Sequence, residues 1–360
     1  MMMRRSIPAM LLSLGLTTLA LGQENIPPPP EMPPIATSLP PAPPSQNIAI
    51  EPLAQDLGGN FGGMFSPHLG NAVPKISFQT RWFPDADVRG QGTSLGFWSQ
   101  AFSLGAPLWQ DSNHELSFTA GIKEQHAFGT AILPTSGVVF PADLWNLRLG
   151  LGYRQSFDNG WIAGINASLG SASDVPFHSV NELSVNLHAF LRIPVRETDA
   201  WLLSLSYSPT GELSFPMPGV AYHWVPNEQF QALIGIPLSI TVRPTEDWSF
   251  HFTYTPITNV KARVDYRLTR GLKLYASYDW TNDSYYRSDR TDDRARLFIY
   301  DMRLTTGIQY SVNSNFSIDL FGGYSFNRYI FEGRSLSDRN NDRINLDDTP
   351  FVGASATFRW

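Results

Sequence analysis

Seven histidines and thirty-two carboxylates are the side chains with which this chain could run acid–base or metal chemistry. Their spacing supports little of either. His68, His114, His126, His178, His188, His223 and His251 make no HExxH pattern or other close ligand spacing. No GxSxG elbow and no phosphate-binding glycine loop occurs. His178-Ser179 falls in an expected loop, but a nucleophile needs a base and a third orienting group, and none is visible, so the pair reads as ordinary loop polarity. Asp338, Asn340 and Asp342 place oxygen ligands at alternate positions, as a calcium loop does. Arg343 then stands where the sharp turn needs glycine, and Thr349 stands at the twelfth position where glutamate is required. The stretch is read first as a solvated acidic loop and only second as a calcium site. No cofactor and no enzymatic reaction are expected.

A larger set of charges has a different logic. Arg81, Arg148, Arg154, Arg192, Lys261, Arg263, Arg267, Lys273, Arg303 and Arg359 fall on the polar side of alternating segments, against the acids Asp265, Asp279, Asp301 and Asp319. Charges spaced by two share a face only on a β-strand. In Leu144 to Arg154, Trp145, Leu147, Leu149, Leu151 and Tyr153 oppose Asn146, Arg148, Gly150, Gly152 and Arg154. Ala262, Val264 and Tyr266 oppose Lys261, Arg263, Asp265 and Arg267, and Leu272, Leu274, Ala276, Tyr278 and Trp280 oppose Lys273, Tyr275, Ser277 and Asp279. The final run sets Val352, Ala354, Ala356, Phe358 and Trp360 against Gly353, Ser355, Thr357 and Arg359.

Short turn signals such as Asp111-Ser112-Asn113, Asp158-Asn159-Gly160, Thr269-Arg270-Gly271 and Asn313-Ser314-Asn315 alternate with long polar connections at 125–142, 172–182, 282–294 and 332–348. That sorting is what an up-and-down transmembrane barrel needs, with one rim in the periplasm and the other outside the cell. Residues 225–256 repeat at an offset of eighteen, Pro226, Glu228 and Ile234 aligning with Pro244, Glu246 and Phe252, about two crossings with a tight corner near Pro237. The expectation is an all-β, membrane-spanning, up-and-down antiparallel β-barrel of 14 to 16 strands, twelve being the lower bound. Sixteen strands would begin near residues 75, 94, 114, 143, 161, 183, 200, 218, 229, 238, 248, 259, 272, 297, 315 and 350. A soluble sandwich would alternate too. Closure is favoured because hydrocarbon offers no partner to a sheet edge, and because Trp82, Trp161, Trp201, Trp224, Trp248 and Trp280 sit at strand ends.

Composition agrees. Charged residues are 16% of the 360, against roughly 25% in average globular chains. Zero cysteines exclude a disulfide scaffold and a thiolate site. A net charge of −6 argues against nucleic acid. Arg4 and Arg5, the apolar run Ala9 to Leu21 and the small residues around Gly22 read as a signal peptide over 1–22. Its removal takes two arginines and no acid, moving the charge from −6 to −8. Residues 23–74 read as a Pro/Gly-rich periplasmic linker or plug, since ten of the eighteen positions from Pro27 to Pro44 are proline. Residues 75–360 are left for the barrel.

The ending Ala354 to Trp360, apolar at alternate positions up to a terminal aromatic, resembles the C-terminal signal that the barrel assembly machinery recognises on outer-membrane barrels, with Phe358 and Trp360 as its aromatic residues. The stretch Ile240 to Trp248, the hairpin through Trp280, and Asp347 to Gly353 resemble the uncharacterised outer-membrane β-barrel family known as domain of unknown function 6268. That resemblance implies fold and outer-membrane location over most of 75–360, and supplies no substrate or catalytic residue.

The function expected from these readings is a passive pore for small polar or anionic solutes. A non-conducting structural or surface-binding barrel is the alternative, and an outer-membrane enzyme the third reading. Expected partners are outer-membrane lipids, lipopolysaccharide and the assembly machinery. Cross-strand pairing of the lumen charges, Lys261 with Asp279 for example, would stiffen the wall whether or not solute passes.

Overall fold

The computed structural model describes residues 69–208, 215–255 and 259–360. The expected signal peptide and all but the last six residues of the 23–74 segment lie outside them. Seventeen strands form one sheet: β1 Lys75–Val88, β2 Thr93–Gln110, β3 His114–Gly129, β4 Asp143–Ser156, β5 Ile162–Ser173, β6 Leu183–Pro194, β7 Ala200–Tyr207, β8 Met217–Asn227, β9 Phe230–Gly235, β10 Leu238–Val242, β11 Trp248–Thr255, β12 Asn259–Arg267, β13 Leu272–Tyr285, β14 Arg296–Ser311, β15 Phe316–Gly333, β16 Arg343–Leu346 and β17 Thr349–Arg359. From β1 to β15 each strand pairs antiparallel with the next in sequence, β16 and β17 both pair with β15, and β1 closes the sheet by pairing with β2 on one side and with β16 and β17 on the other.

The closed barrel has sixteen strands, β16 being an outward continuation of β17. Both keep the same register against β15 (Ser325 opposite Thr349, Arg328 opposite Leu346) and against β1 (Trp82 opposite Val352, Val88 opposite Leu346). They are parted only at Asp347-Asp348, across from Asn327 at φ 50. The last strand thus begins at Arg343 rather than near 350. Every other expected start lies within one residue of the observed one.

Two rims follow from this order. The rim that holds both ends of the barrel carries seven short turns among the described residues, at 111–113, 157–161, 195–199, 228–229, 243–247, 268–271 and 312–315. The opposite rim carries the longer connections, shorter than the sequence suggested, because β3 runs to Gly129, β5 to Ser173, β13 to Tyr285 and β15 to Gly333. Alternation fades in these extensions for a physical reason: both of their faces are covered. All six residues from Arg296 to Asp301 are buried.

Across the middle, the outer face is apolar and uncovered: Leu149, Leu151, Leu304, Leu320 and Val352 are all more than half exposed. Such a belt around a closed sheet suits hydrocarbon, where the ladder satisfies every backbone group. An aromatic girdle sits at the short-turn rim, where Trp201 packs on Tyr222 (5.0 Å), Trp248 on Tyr266 (4.7 Å) and Phe358 on Trp360 (5.7 Å).

At the other end the interior is solid. Phe83, Val88, Leu95, Phe97, Leu144, Tyr285, Leu297, Ile299, Ile330, Ile344, Leu346 and Phe351 point inward from strands around the wall and form one buried cluster. Ala131, Leu133 and Phe140 join it from the β3–β4 connection, which bends in over the mouth. That connection is clamped by the Gln91 side-chain amide, which accepts from the Ile132 N–H (2.9 Å), and by Asp342, which accepts from the Thr135 N–H (2.6 Å).

Candidate functional site in the barrel lumen

Between the two ends the inner wall is polar. The alternation that buries Ala262 and Val264 in lipid points Lys261, Arg263 and Asp265 of β12 inward, beside Lys273, Tyr275 and Asp279 of β13. Arg263 binds Asp265 of its own strand through two nitrogens at 2.7 Å, and its guanidinium lies 3.8 Å over the Tyr275 ring. The Tyr275 hydroxyl donates to Asp319 Oδ2 (2.9 Å), and Oδ1 of that carboxylate has no hydrogen-bond partner among the described residues. Lys261 faces Asp279 across the β12–β13 ladder, while Asp279 accepts from Ser277 (3.3 Å). Arg81 donates to Gln79 (3.2 Å) and lies over Phe321 (5.6 Å).

One level toward the packed end, Asp301 gathers a network. It accepts from Arg303 (2.8 Å), from Ser325 (3.1 Å) and from Thr281. Arg303 and Arg328 both lie over Phe83, at 5.3 and 5.6 Å, so the guanidiniums floor the apolar cluster. The cavity framed by Arg81, Lys261, Asp279, Arg303 and Asp319 is about 40 Å³. At about 10–15 Å³ per water it holds only a few molecules.

On the facing wall Arg148 sits between Gly121 and Gly170 in the ladder, and Arg154 lies opposite Glu115 at 3.7 Å. A Cβ on Gly170 would come within 2.1 Å of the Leu147 carbonyl oxygen, so β4 and β5 approach too closely there for a side chain at position 170. Arg192 lies between Ile162 and Leu202 and is only 6% exposed. The two walls meet where Lys123 of β3 reaches Asp283 of β13 at 2.7 Å.

Not every expected lumen residue faces open space. Arg267 lies at the short-turn rim, where it binds Asp247 (3.3 Å) and the Glu246 carbonyl and so holds the β10–β11 turn. Lys273 stands opposite it in the ladder. Phe358 and Trp360 face outward in the girdle. Asp338 accepts from the N–H groups of Arg334 (2.8 Å) and Ser335 (3.2 Å), while Asp342 braces the β3–β4 connection, so the two carboxylates of the calcium motif serve separate backbone groups. Among the described residues no three His, Cys, Asp or Glu side chains converge on a metal site. The Ser179 hydroxyl accepts from the Asn181 N–H (3.2 Å) and so caps the 3₁₀ turn Val180–Glu182.

The sequence did not single out Arg328. Strict alternation from Tyr324 and Phe326 places it outside, but the irregularity between β14 and β15 near Asn327 shifts the parity and turns it in. Asn327 was the only available signal, as a residue type that tolerates positive φ.

The described geometry is that of a membrane barrel with a basic interior. Residues 134–359 match the family model described as Domain of unknown function (DUF6268). The chain belongs to this family. A search of curated proteins finds no match to this DUF6268 member. Its fold resembles those of OccK7 from Pseudomonas aeruginosa (10% identity, 81% of this chain and 100% of that one, TM-score 0.41) and the COG4313 outer membrane channel from Pseudomonas putida F1 (10%, 80% and 94%, TM-score 0.35). It also resembles Acinetobacter baumannii Omp33 (7%, 80% and 98%, TM-score 0.35). Likeness of this degree concerns barrel architecture alone, and the strand count stands on the register.

Proposed function

We propose that this DUF6268 barrel resides in the outer membrane and is a channel for small anionic or polar solutes. The observation that carries this reading is the inner wall, where Arg81, Arg148, Arg192, Lys261 and Arg263 outnumber Asp265, Asp279 and Asp319, although the whole chain is acidic. A sixteen-stranded wall is wide enough for an aqueous lumen where side chains do not fill it. Low-dielectric walls focus the field of the fixed cations along the axis and raise the local anion concentration. The Arg263–Asp265 pair tempers that field. Screening over about 8 Å at physiological salt makes the preference fade as ionic strength rises.

The apolar cluster at the long-loop end favours a second reading, a non-conducting barrel whose outer loops bind lipopolysaccharide or another surface partner. Planar-bilayer recording of the refolded protein separates the two. Under a salt gradient the reversal potential should report weak anion preference, and Arg263→Glu with Lys261→Glu should move it toward cations. Absence of conductance, also after removal of residues 23–68, would leave the non-conducting reading.

A further inference from the structure

At the short-turn end the lumen holds a second apolar surface, made of Ile162, Phe190, Leu202, Ala221 and Leu233 on the inner faces of β5 to β9. It does not belong to the wall alone. Leu69, six residues before β1 begins, packs into it and is 8% exposed. The chain is steered there by Gln110, whose side-chain amide accepts from the Ala72 N–H (3.0 Å) and donates to its carbonyl (3.1 Å). Gly70, at φ +81, lies where a Cβ would come 2.7 Å from the Asp111 carbonyl oxygen, a position only glycine fills without strain. Residues 69–74 therefore turn into the barrel at its short-turn end.

Arg192 lies within this surface, flanked by Ile162 and Leu202, its Nε without a hydrogen-bond partner among the described residues. A buried cation on an apolar wall calls for an anion with apolar neighbours. The preceding chain has that composition. Residues 48–68 carry Glu51 and Asp56 and no Lys or Arg, together with Leu57, Phe61, Met64 and Phe65. Indeed no Lys or Arg occurs anywhere from 23 to 74. Fully extended, residues 48–68 reach about 70 Å, against about 30 Å of hydrocarbon.

We propose that the inner wall of β5 to β9 around Arg192 is the docking groove of the chain's own residues 48–68, which fill the lumen from the short-turn end. Apolar side chains extend the cluster that Leu69 starts, and the two carboxylates face the basic wall. The groove and its occupant do not depend on whether the barrel conducts.

The test uses the full chain refolded in lipid nanodiscs, with heat-modifiable migration as the check on folding. The protein has no cysteine, so Ser204→Cys, opposite Phe190 and Gly219 on the inner face, gives a single reporter thiol. Its labelling by a water-soluble maleimide should quicken about tenfold when Glu51→Lys and Asp56→Lys are added, since like charge set against the wall repels the segment. Phe61→Ser with Phe65→Ser should act in the same direction by removing the apolar contact. A second measurement is chymotrypsin cleavage at Phe61 and Phe65, which should be slow in the folded chain and fast when Arg192→Glu is introduced. Labelling unchanged by both pairs of substitutions, or cleavage equally fast with Arg192 and with Glu there, would overturn the proposal while leaving any measured conductance in place.

Discussion

Single residues at the strand ends decide how this barrel is held at its rim. Trp360 ends the outward face of β17 and stacks on Phe358, whereas Arg359 faces the lumen. A charge at 360 would sit in the interfacial girdle, so Trp360→Asp is expected to cut the yield of membrane-embedded, heat-modifiable protein far more than Arg359→Asp does. Equal losses would mean the register at the closing strand is otherwise. At the β6–β7 turn, Asp199 accepts from the Val225 N–H (3.0 Å) and the Tyr222 hydroxyl (3.1 Å), and the Val225 N–H is the main reason its carboxyl titrates below the usual range. A folded-state pKa lowered from the unfolded value of about 3.9 stabilises fully above that value and is lost as pH falls through the folded one. Urea midpoints measured from pH 6 down to pH 2 should therefore fall more steeply for the native chain than for Asp199→Asn. Parallel curves would show that this carboxylate is not the acid-sensitive clamp. Arg328 shows the limit of reading residues singly. Its side of the wall follows from one irregularity near Asn327 that no periodic pattern encodes.

The elements divide into those that alternate and those that pack. β4, β12, β13 and β17 keep their apolar side to lipid through the middle of the barrel, which is why their faces could be read residue by residue. Above that band β14 is buried on both sides, and its outward Phe298 and Tyr300 stack against Phe331 and Tyr329 at 4.8 and 4.9 Å. Under the proposed channel reading the β3–β4 connection is the barrier to passage, because its apolar residues join the cluster at the mouth. Exchanging Leu133 and Phe140 for serine removes contacts worth about 1.5–3 kcal/mol each. Single-channel conductance should rise in that variant, and a conductance equal to that of the parent would place the barrier elsewhere. The 286–295 connection makes a second brace: Tyr286 bridges to Ser173, and Arg290 binds the fully buried Glu182 at 3.0 Å.

At the scale of the molecule, two unlike ends follow from sixteen strands of unequal length. β1 to β3 and β13 to β15 have 14 to 18 residues each, while β9 and β10 have six and five. Bacterial barrels keep short turns on the periplasmic side, so epitopes inserted in 286–295 and 334–342 should be reached by antibody on intact cells, and epitopes at 158–160 and 313–315 only after permeabilisation. The reverse labelling would invert the barrel. Closure, strand number and the sorting of turns were legible in the amino-acid sequence, because a lipid-facing wall forces an apolar residue at every second position and a turn residue at every reversal. The inward direction of Arg148, Arg263 and Arg303 came with that period. What period two cannot carry is the distance between opposite walls. Only the tertiary structure brought Lys123 to Asp283, seated the β3–β4 connection in the mouth and drew Leu69 into the groove beside Arg192. Those contacts join residues far apart in the chain whose local patterns are unaffected by one another, and they arise from how a closed wall curves and fills.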